Sequence, residues 1–114
     1  MHSVEIKSID IEKVRRSMDE YAARLLRTKP AVQEIVVFGS FAEDAYAPGS
    51  DLDVFIVLGS AQGRPRDRIP AFLPDKFPVP IDVFPFTLAE MAQLQSSPLL
   101  AAVRKSNWRY KRRF

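Results

Sequence analysis

Apolar residues recur every three or four positions across residues 10–29, and this spacing predicts an amphipathic helix. Asp10 is expected to cap its N-terminus, and Pro30 is expected to end it. The apolar stripe consists of Ile11, Val14, Met18, Tyr21, Ala22 and Leu25. The helix should therefore bury one face against the rest of the domain.

Three shorter apolar runs predict β-strands at residues 32–38, 51–58 and 79–84. The second run is almost continuously apolar from residue 54 to 58, which is typical of a sheet covered on both faces. Pro80 lies near the start of the third run. Because proline cannot donate a backbone hydrogen bond, we expect that strand at an edge of the sheet.

The remaining segments predict short helices between and after the strands. Thr87 and Glu90 have the spacing of a capping box. The predicted helical segments are residues 41–46, one or two turns within 67–76, residues 88–95 and residues 98–106. Together the pattern predicts a single domain of the α/β class, of α+β type, spanning residues 1–114. Its short mixed sheet should have three or four strands with helices packed on it.

Composition restricts the chemistry that this domain can carry. The sequence has no cysteine and one histidine, His2, so disulfides, thiolate metal sites and histidine-based catalysis are not expected. A divalent cation would have to be held by oxygen ligands, which favours Mg²⁺ or Mn²⁺. No apolar run approaches the ~20 residues that span a bilayer, and the N-terminus lacks a signal-peptide core. We therefore expect a cytoplasmic protein with no membrane partner.

The positive charge is concentrated at the C-terminus. The net charge is +3, but residues 104–114 contain six basic residues and no acidic one. Trp108 and Tyr110 among these cations could bind single-stranded nucleic acid by stacking. The interpretation we favour is a basic tail in which Trp108 docks on the last helix and the charges are solvated or face an acidic partner.

Candidate catalytic residues lie around the turn between the first two strands. Gly39 and Ser40 precede a predicted helix, and glycine together with a helix N-terminus suits a phosphate. Asp51 and Asp53 should point to one face of the second strand, because strand side chains alternate. If the third strand lies beside the second, Asp82 adds a third carboxylate. Such a group can hold metal ions for phosphoryl chemistry.

Simpler interpretations exist for each of these residues taken alone. Gly39-Ser40 could be an ordinary turn, and Asp51 could serve the turn after Pro48-Gly49-Ser50. Asp82 could face solvent on an edge strand. These interpretations do not explain Asp53, which would stand unpaired on a sheet face.

The segment VVFGSFAEDAYAPGSDLDVFIVL, in which ten residues separate Gly-Ser from Asp-x-Asp, resembles the DNA-polymerase-β-like nucleotidyltransferase superfamily. It is similar to the minimal, antitoxin-type branch, and the resemblance covers roughly residues 30–90. The resemblance implies a nucleotidyltransferase fold, triphosphate binding by Gly39 and Ser40, and metal binding and catalysis by Asp51, Asp53 and Asp82. It also implies Mg²⁺ as cofactor, an NTP such as ATP as donor, and a helical HEPN-domain toxin as partner.

One departure from the superfamily pattern concerns the triphosphate. Members commonly have Gly-Ser-Arg-x-Arg-Gly, whereas this chain has Phe41 and Glu43 at the arginine positions, with Asp44 following. Arg64, Arg66 and Arg68, in and after the loop behind the second strand, are the candidates to replace them.

The sequence is therefore compatible with three functions. The first is transfer of a nucleotidyl group, with AMP the expected one, to a protein or small molecule. In this case the chain would be the antitoxin of a HEPN toxin–antitoxin pair. The second is a catalytically weak or inactive binding module that neutralises a partner by contact. The third is an aminoglycoside-type small-molecule transferase. Eight phenylalanines and a proline-rich stretch at 65–85 also predict an exposed apolar strip for partner binding or self-association.

Overall fold

The computed structural model describes residues 8–113, so His2 and the N-terminal stretch through residue 7 lie outside the described residues. The described chain contains four helices and four strands. In order they are α1 (Ile11–Thr28), β1 (Val32–Phe38), β2 (Leu52–Leu58), α2 (Pro65–Phe72), β3 (Ile81–Thr87), α3 (Leu88–Gln93), α4 (Pro98–Lys105) and β4 (Trp108–Lys111). Asp10 caps α1 by accepting a hydrogen bond from the Lys13 backbone N–H, as the sequence predicts.

The strands form one mixed sheet in the order β3-β2-β1-β4. β1 is antiparallel to both β2 and β4, whereas β2 and β3 are parallel. The predicted α/β class and mixed sheet are confirmed, and β3 occupies an edge, as Pro80 indicates. The fourth strand comes from the segment that the sequence analysis treated as a solvated tail.

Apolar side chains project from both faces of the sheet, as the continuous apolar run of β2 predicts. Val54 and Ile56 point to the face covered by α1 and α2. Phe55 and Val57 point to the opposite face, where α3 and α4 pack. The side chains of Val54, Phe55 and Ile56 are fully buried. The two cores therefore hold β2 from both sides and fix the position of the residues at its ends.

The predicted helix at residues 41–46 was wrong, because the segment forms a series of turns. Its single helical hydrogen bond runs from the Glu43 N–H to the Gly39 carbonyl, at 3.1 Å. Asp44 then adopts a left-handed conformation with φ of 60°, which ends the helical turn. The Gly39-Ser40 turn is therefore followed by one turn rather than by a helix.

The prediction of a solvated basic tail was wrong for Arg109 and Arg112, whereas the other four cations of residues 104–114 are exposed. Arg109 donates to the carbonyls of Ser106, Val103 and Arg104. Arg112 likewise donates to the carbonyls of Val32, Leu26 and Lys29. These guanidinium groups hold the C-terminal strand in place. Deleting residues 104–114 would therefore remove an edge strand and expose β1.

Trp108 packs against α1 and not against the last helix, contrary to the expectation from sequence. The Arg15 guanidinium lies 4.3 Å from the Trp108 ring centroid, and the indole N–H donates to the Tyr110 hydroxyl at 2.9 Å. Tyr110 in turn donates to Asp19 of α1 at 2.5 Å. The face of the indole is thus engaged within the domain, which argues against base stacking there.

The predicted exposed apolar strip is absent from the part of the chain that the structure describes. The exposed large apolar side chains within residues 8–113 are Leu73 and Leu88, and no phenylalanine is among them. The phenylalanines pair within the cores. The ring centroids of Phe38 and Phe84 lie 5.4 Å apart, and those of Phe55 and Phe86 lie 5.3 Å apart.

An ion pair between Arg68 and Glu90 joins α2 to α3. Arg68 is buried and donates to both carboxylate oxygens of Glu90, at 2.7 and 3.0 Å. The Arg68 guanidinium also donates hydrogen bonds to the carbonyls of Pro85, Gln62 and Gly63. Glu90 also completes the predicted capping box with Thr87. The hydrogen bond from Arg68, followed by that from the Thr87 backbone, lowers the pKa of Glu90 to about 2.

The lowered pKa of Glu90 predicts an acid-dependent loss of stability. Because the folded-state pKa lies below the unfolded value, the ionised Glu90 contributes stability above pH ~4.5, and that contribution is lost as the pH falls towards 2. Glu90→Gln should therefore lower the free energy of unfolding at pH 7 and differ little from wild type near pH 2. Denaturant titrations across this range measure the difference, and a constant gap would contradict the expectation.

The helices within residues 8–113 are each too short or too polar to cross a bilayer.

Candidate active site

One end of the sheet gathers the residues that the sequence analysis singled out. β1 ends at Phe38, which pairs with Asp53 on β2. Asp53 in turn pairs with Asp82 on the parallel neighbour β3. Asp51 lies directly before β2, and Gly39-Ser40 directly follow β1. Three strand ends therefore bring all five predicted site residues to the same end of the sheet.

The pKa values of Asp53 and Asp82 are both raised at this end of the sheet. Burial raises the pKa of Asp53, and the negative charges of Asp82 and Asp51 add to that rise. Although Asp82 is exposed overall, partial desolvation of its carboxylate raises its pKa first, and the charge and a hydrogen bond of the Asp51 side chain add to the rise. Asp51 and Asp82 are exposed, whereas Asp53 is half-buried. The arrangement concentrates negative charge at a surface that solutes can reach.

These carboxylates suit a divalent cation that substrate oxygens also coordinate. They do not form a closed cage that would hold the ion by protein ligands alone. Within residues 8–113, no three or more Asp, Glu, His or Cys side chains stand close enough together to hold an ion by themselves. Mg²⁺ is typically held by one or two carboxylates together with substrate phosphates. Carboxylate oxygens that repel one another supply such ligands, and substrate would complete the set.

Gly39 is required by the close approach of Asp53. Its φ is +77°, and a Cβ at this position would lie 2.5 Å from Oδ2 of Asp53. Glycine is the residue that tolerates both the left-handed backbone and this contact. The turn thus lets the Asp53 carboxylate lie directly against the backbone that follows β1.

Gly39→Ala is expected to destabilise the fold and displace the Asp53 carboxylate. The left-handed backbone alone costs a side chain about 1–2 kcal/mol, and the steric contact with Asp53 adds to that cost. Gly49→Ala is the matched control, because Gly49 has φ of +90° and no atom would lie within 4 Å of its added Cβ. Denaturant unfolding of both variants measures the difference. Equal losses in the free energy of unfolding would show that the Asp53 side chain can move away from the added Cβ without destabilising the fold.

The side chain that follows Ser40 points into the core. Phe41 stands where the superfamily pattern has arginine, is 2% exposed, and stacks on Tyr46 with ring centroids 4.9 Å apart. The Ser40 carbonyl accepts a hydrogen bond from the Ala45 N–H at 2.8 Å. The aromatic pair therefore anchors the turn, at the expense of a cation beside Ser40.

The three arginines proposed as replacements lie at the wrong end of the sheet. Their segment follows the C-terminal end of β2, whereas Asp53 lies at the N-terminal end of that strand. The two ends are about 17–20 Å apart along the strand. Arg64 pairs with Asp67 at 3.3 Å, and Arg68 is buried against Glu90. Arg66 is exposed in the same helix. The suggestion that they compensate is therefore wrong, because they lie too far from Gly39 and Ser40.

One cation pairs with the turn from a distant part of the chain. Lys105 ends α4, and its ammonium lies 2.5 Å from a carboxylate oxygen of Glu43. Nothing in the spacing of the sequence relates positions 43 and 105. They meet because β4 pairs with β1 and brings the end of α4 to the same end of the sheet.

The sequence and the fold of this chain are both similar to those of known proteins. Residues 18–112 match the family model described as a nucleotidyltransferase domain. The fold is similar to the crystal structure of a protein from Sulfolobus solfataricus described as a "putative nucleotidyltransferase", with a TM-score of 0.54 and 23% identity. That alignment covers 73% of this chain and 78% of the other. No curated protein sequence matches this chain.

Proposed function

Because this chain belongs to the nucleotidyltransferase domain family, we propose that it moves a nucleotidyl group from an NTP to an acceptor at the site formed by Asp51, Asp53 and Asp82. The observation that carries the proposal is the register of the sheet. It pairs Asp53 with Asp82 and places Asp53 against the Gly39 turn. Carboxylates beside a turn that offers the Ser40 hydroxyl would combine a cation site with a phosphate site.

The proposed reaction is attack by an acceptor hydroxyl on the α-phosphorus of the NTP. The bond between the α-phosphorus and its bridging oxygen to the β-phosphate breaks, pyrophosphate leaves, and the hydroxyl proton passes to a carboxylate of the site. Gly39 and Ser40 hold the triphosphate through the Ser40 hydroxyl and backbone N–H groups. Asp51, Asp53 and Asp82 orient the donor and the acceptor relative to each other.

Asp51, Asp53 and Asp82 would hold Mg²⁺, with Mn²⁺ as an alternative. Bound there, the cation would neutralise the charge that develops on the phosphates. Two of the three carboxylates are exposed, which leaves room for substrate oxygens to complete the ligand set.

We propose ATP as the donor, so that AMP is transferred, and a helical protein of the HEPN type as the partner of an antitoxin-like domain. This proposal is supported by the resemblance of residues 30–90 to minimal nucleotidyltransferases and by the exposure of Asp51 and Asp82. An acceptor as large as a protein can reach carboxylates at an open surface. Copurification of the chain with a HEPN protein, followed by mass spectrometry of that partner for added AMP, tests it. If the chain is monomeric, and labels small molecules but no protein partner, the acceptor is instead a small molecule of the aminoglycoside type.

A direct test of the core proposal is nucleotide binding by calorimetry with and without Mg²⁺. A catalytic site predicts tight, Mg²⁺-dependent binding of at least one NTP. The alternative function, a binding module that acts by contact, is favoured by the acidic Glu43 and Asp44 in the turn. It predicts that none of the four NTPs binds in either condition.

Ser40→Ala provides a more local test of the triphosphate site. The hydroxyl is expected to donate a hydrogen bond to a charged phosphate oxygen, and losing such a bond costs about 1.5–3 kcal/mol. The dissociation constant for ATP should rise about tenfold or more. Ser50→Ala is a suitable control, since the Ser50 hydroxyl accepts from the Ala47 N–H within its own turn. Unchanged ATP affinity in the Ser40 variant would place the triphosphate elsewhere.

A further inference from the structure

We propose that Lys105 binds the NTP phosphates and supplies the positive charge that the turn after Ser40 lacks. This inference rests on the proposed function and adds a residue to its site. The need for a cation is clear from the charges nearby. Three aspartates stand at this end of the sheet, and Glu43 and Asp44 add two acids in the turn itself. A polyanionic triphosphate would be repelled by such a surface unless cations offset its charge.

The fold holds Lys105 beside the turn through contacts that follow it in the chain. The Ser106 hydroxyl donates to the carbonyl of Val37, two residues before Gly39. The Trp108 N–H then donates to the Ser106 hydroxyl at 3.1 Å, and Trp108 pairs with Val37 across β1 and β4. The end of α4 is therefore tied to the end of β1 immediately before the Gly39-Ser40 turn.

The ammonium of Lys105 is already drawn to this turn. Its distance to a Glu43 carboxylate oxygen is 2.5 Å, and the two side chains are 61% and 48% exposed. Of the ion pairs within residues 8–113, this is the one that reaches the segment from Gly39 to Asp53. An ammonium has three donors, so Lys105 can keep Glu43 and still contact a phosphate oxygen.

The neighbouring cations are engaged elsewhere. Arg104 donates to the carbonyl of Gln95 at 2.9 Å. Arg109 donates to the backbone at the end of α4 and pairs with Glu34 at 3.3 Å. Lys111 also faces Glu34, at 3.8 Å, towards the middle of β1. Lys105 is thus the cation of α4 and β4 that combines exposure with a partner in the phosphate-binding turn.

The experiment compares Lys105→Gln with Lys111→Gln, which removes the same charge from the same part of the chain. Binding of α,β-methylene ATP with Mg²⁺ is measured by calorimetry, because this analogue cannot undergo transfer at the α-phosphorus. Lys105→Gln is expected to weaken binding about tenfold, as for a lost hydrogen bond to a charged group, and Lys111→Gln to leave it within about twofold. Lys105→Arg should retain most of the affinity because it keeps the charge.

Two further measurements separate phosphate binding from a merely structural ion pair. Inorganic tripolyphosphate with Mg²⁺, used as a competitor, should lose affinity for Lys105→Gln by the same factor as the nucleotide, since the contact is to phosphate. Glu43→Gln should tighten binding about threefold, because it releases the ammonium and removes a repelling charge. A structural pair would instead lower the unfolding temperature in both variants and leave both affinities unchanged.

The outcomes distinguish this inference from the function on which it rests. If wild type binds nucleotide and Lys105→Gln binds equally well, Lys105 has no part in the site and the inference is overturned. If wild type binds no NTP with Mg²⁺, the proposed function itself fails and the inference fails with it. Selective weakening in Lys105→Gln, together with tightening in Glu43→Gln, would establish it.

Discussion

Replacing Asp51 and Asp53 together by asparagine is expected to lower NTP-dependent labelling of an acceptor by about 10²–10³-fold or more. The substitutions keep the shape of the side chains but remove the negative charge that would hold a cation against the phosphates. The measurement is transfer of radiolabelled nucleotide to the copurified partner or to the small-molecule acceptor. Undiminished labelling in the double variant would sink the catalytic assignment.

The same variant should not lose stability. Burial and two neighbouring carboxylates raise the pKa of Asp53, so its ionised form is less favourable in the folded chain than in the unfolded one. Neutralising it in the metal-free protein at pH 7 should therefore leave the unfolding temperature unchanged or raise it. Asp75→Asn, in the exposed connection before β3, is the control for both assays. Activity and stability that fall together would indicate a structural role for the aspartates.

Replacing Arg68 by alanine is expected to give the largest loss of stability of any single charge removed from this domain, about 3–5 kcal/mol. The Arg68 side chain is 8% exposed and that of Glu90 is 28% exposed, and the guanidinium joins Glu90 to three backbone carbonyls. Its loss would leave the Glu90 carboxylate and those carbonyls without their donor in a largely buried setting. Urea or thermal unfolding measures the change in the free energy of unfolding.

Arg66→Ala is the natural comparison, because Arg66 is exposed on the same helix and should change stability by no more than about 0.5 kcal/mol. Nucleotide affinity provides the second readout. Both arginines lie at the far end of the sheet from Asp53, so the folded fraction of either variant should bind NTP as wild type does. A specific loss of nucleotide affinity in Arg66→Ala would place the triphosphate near α2 and contradict the site at Gly39 and Ser40.

Local signals in the sequence were sufficient for most of the secondary structure. The apolar stripe of α1, the apolar run of β2 and the capping box at Thr87 each depend on residues a few positions apart, so they can be read directly. Pro80 also indicated correctly that β3 is an edge strand. The segment after Ser40 was harder, because a single left-handed residue, Asp44, turns a predicted helix into one turn.

The candidate site could be predicted as a set of residues but not as an arrangement. The spacing of Gly39-Ser40 and Asp51-x-Asp53 is a local property of the chain. The position of Asp82 beside Asp53 depends on β3 lying parallel to β2, which only the assembled sheet decides. The close contact between Gly39 and Asp53 is likewise a contact between two strands, and no pattern within either strand reveals it.

The sequence by itself determined the family, the class of fold and the residues of the Gly-Ser and Asp-x-Asp motifs, because these are written in short-range spacing. The tertiary structure decided which cations lie near these residues. It placed Arg64, Arg66 and Arg68 at the far end of β2, and it brought Lys105 to Glu43 across more than half of the chain. The physical reason is that a basic side chain can contact only groups that the tertiary fold brings within its reach. Here that packing was set by β4, a strand whose pairing with β1 is entirely long-range.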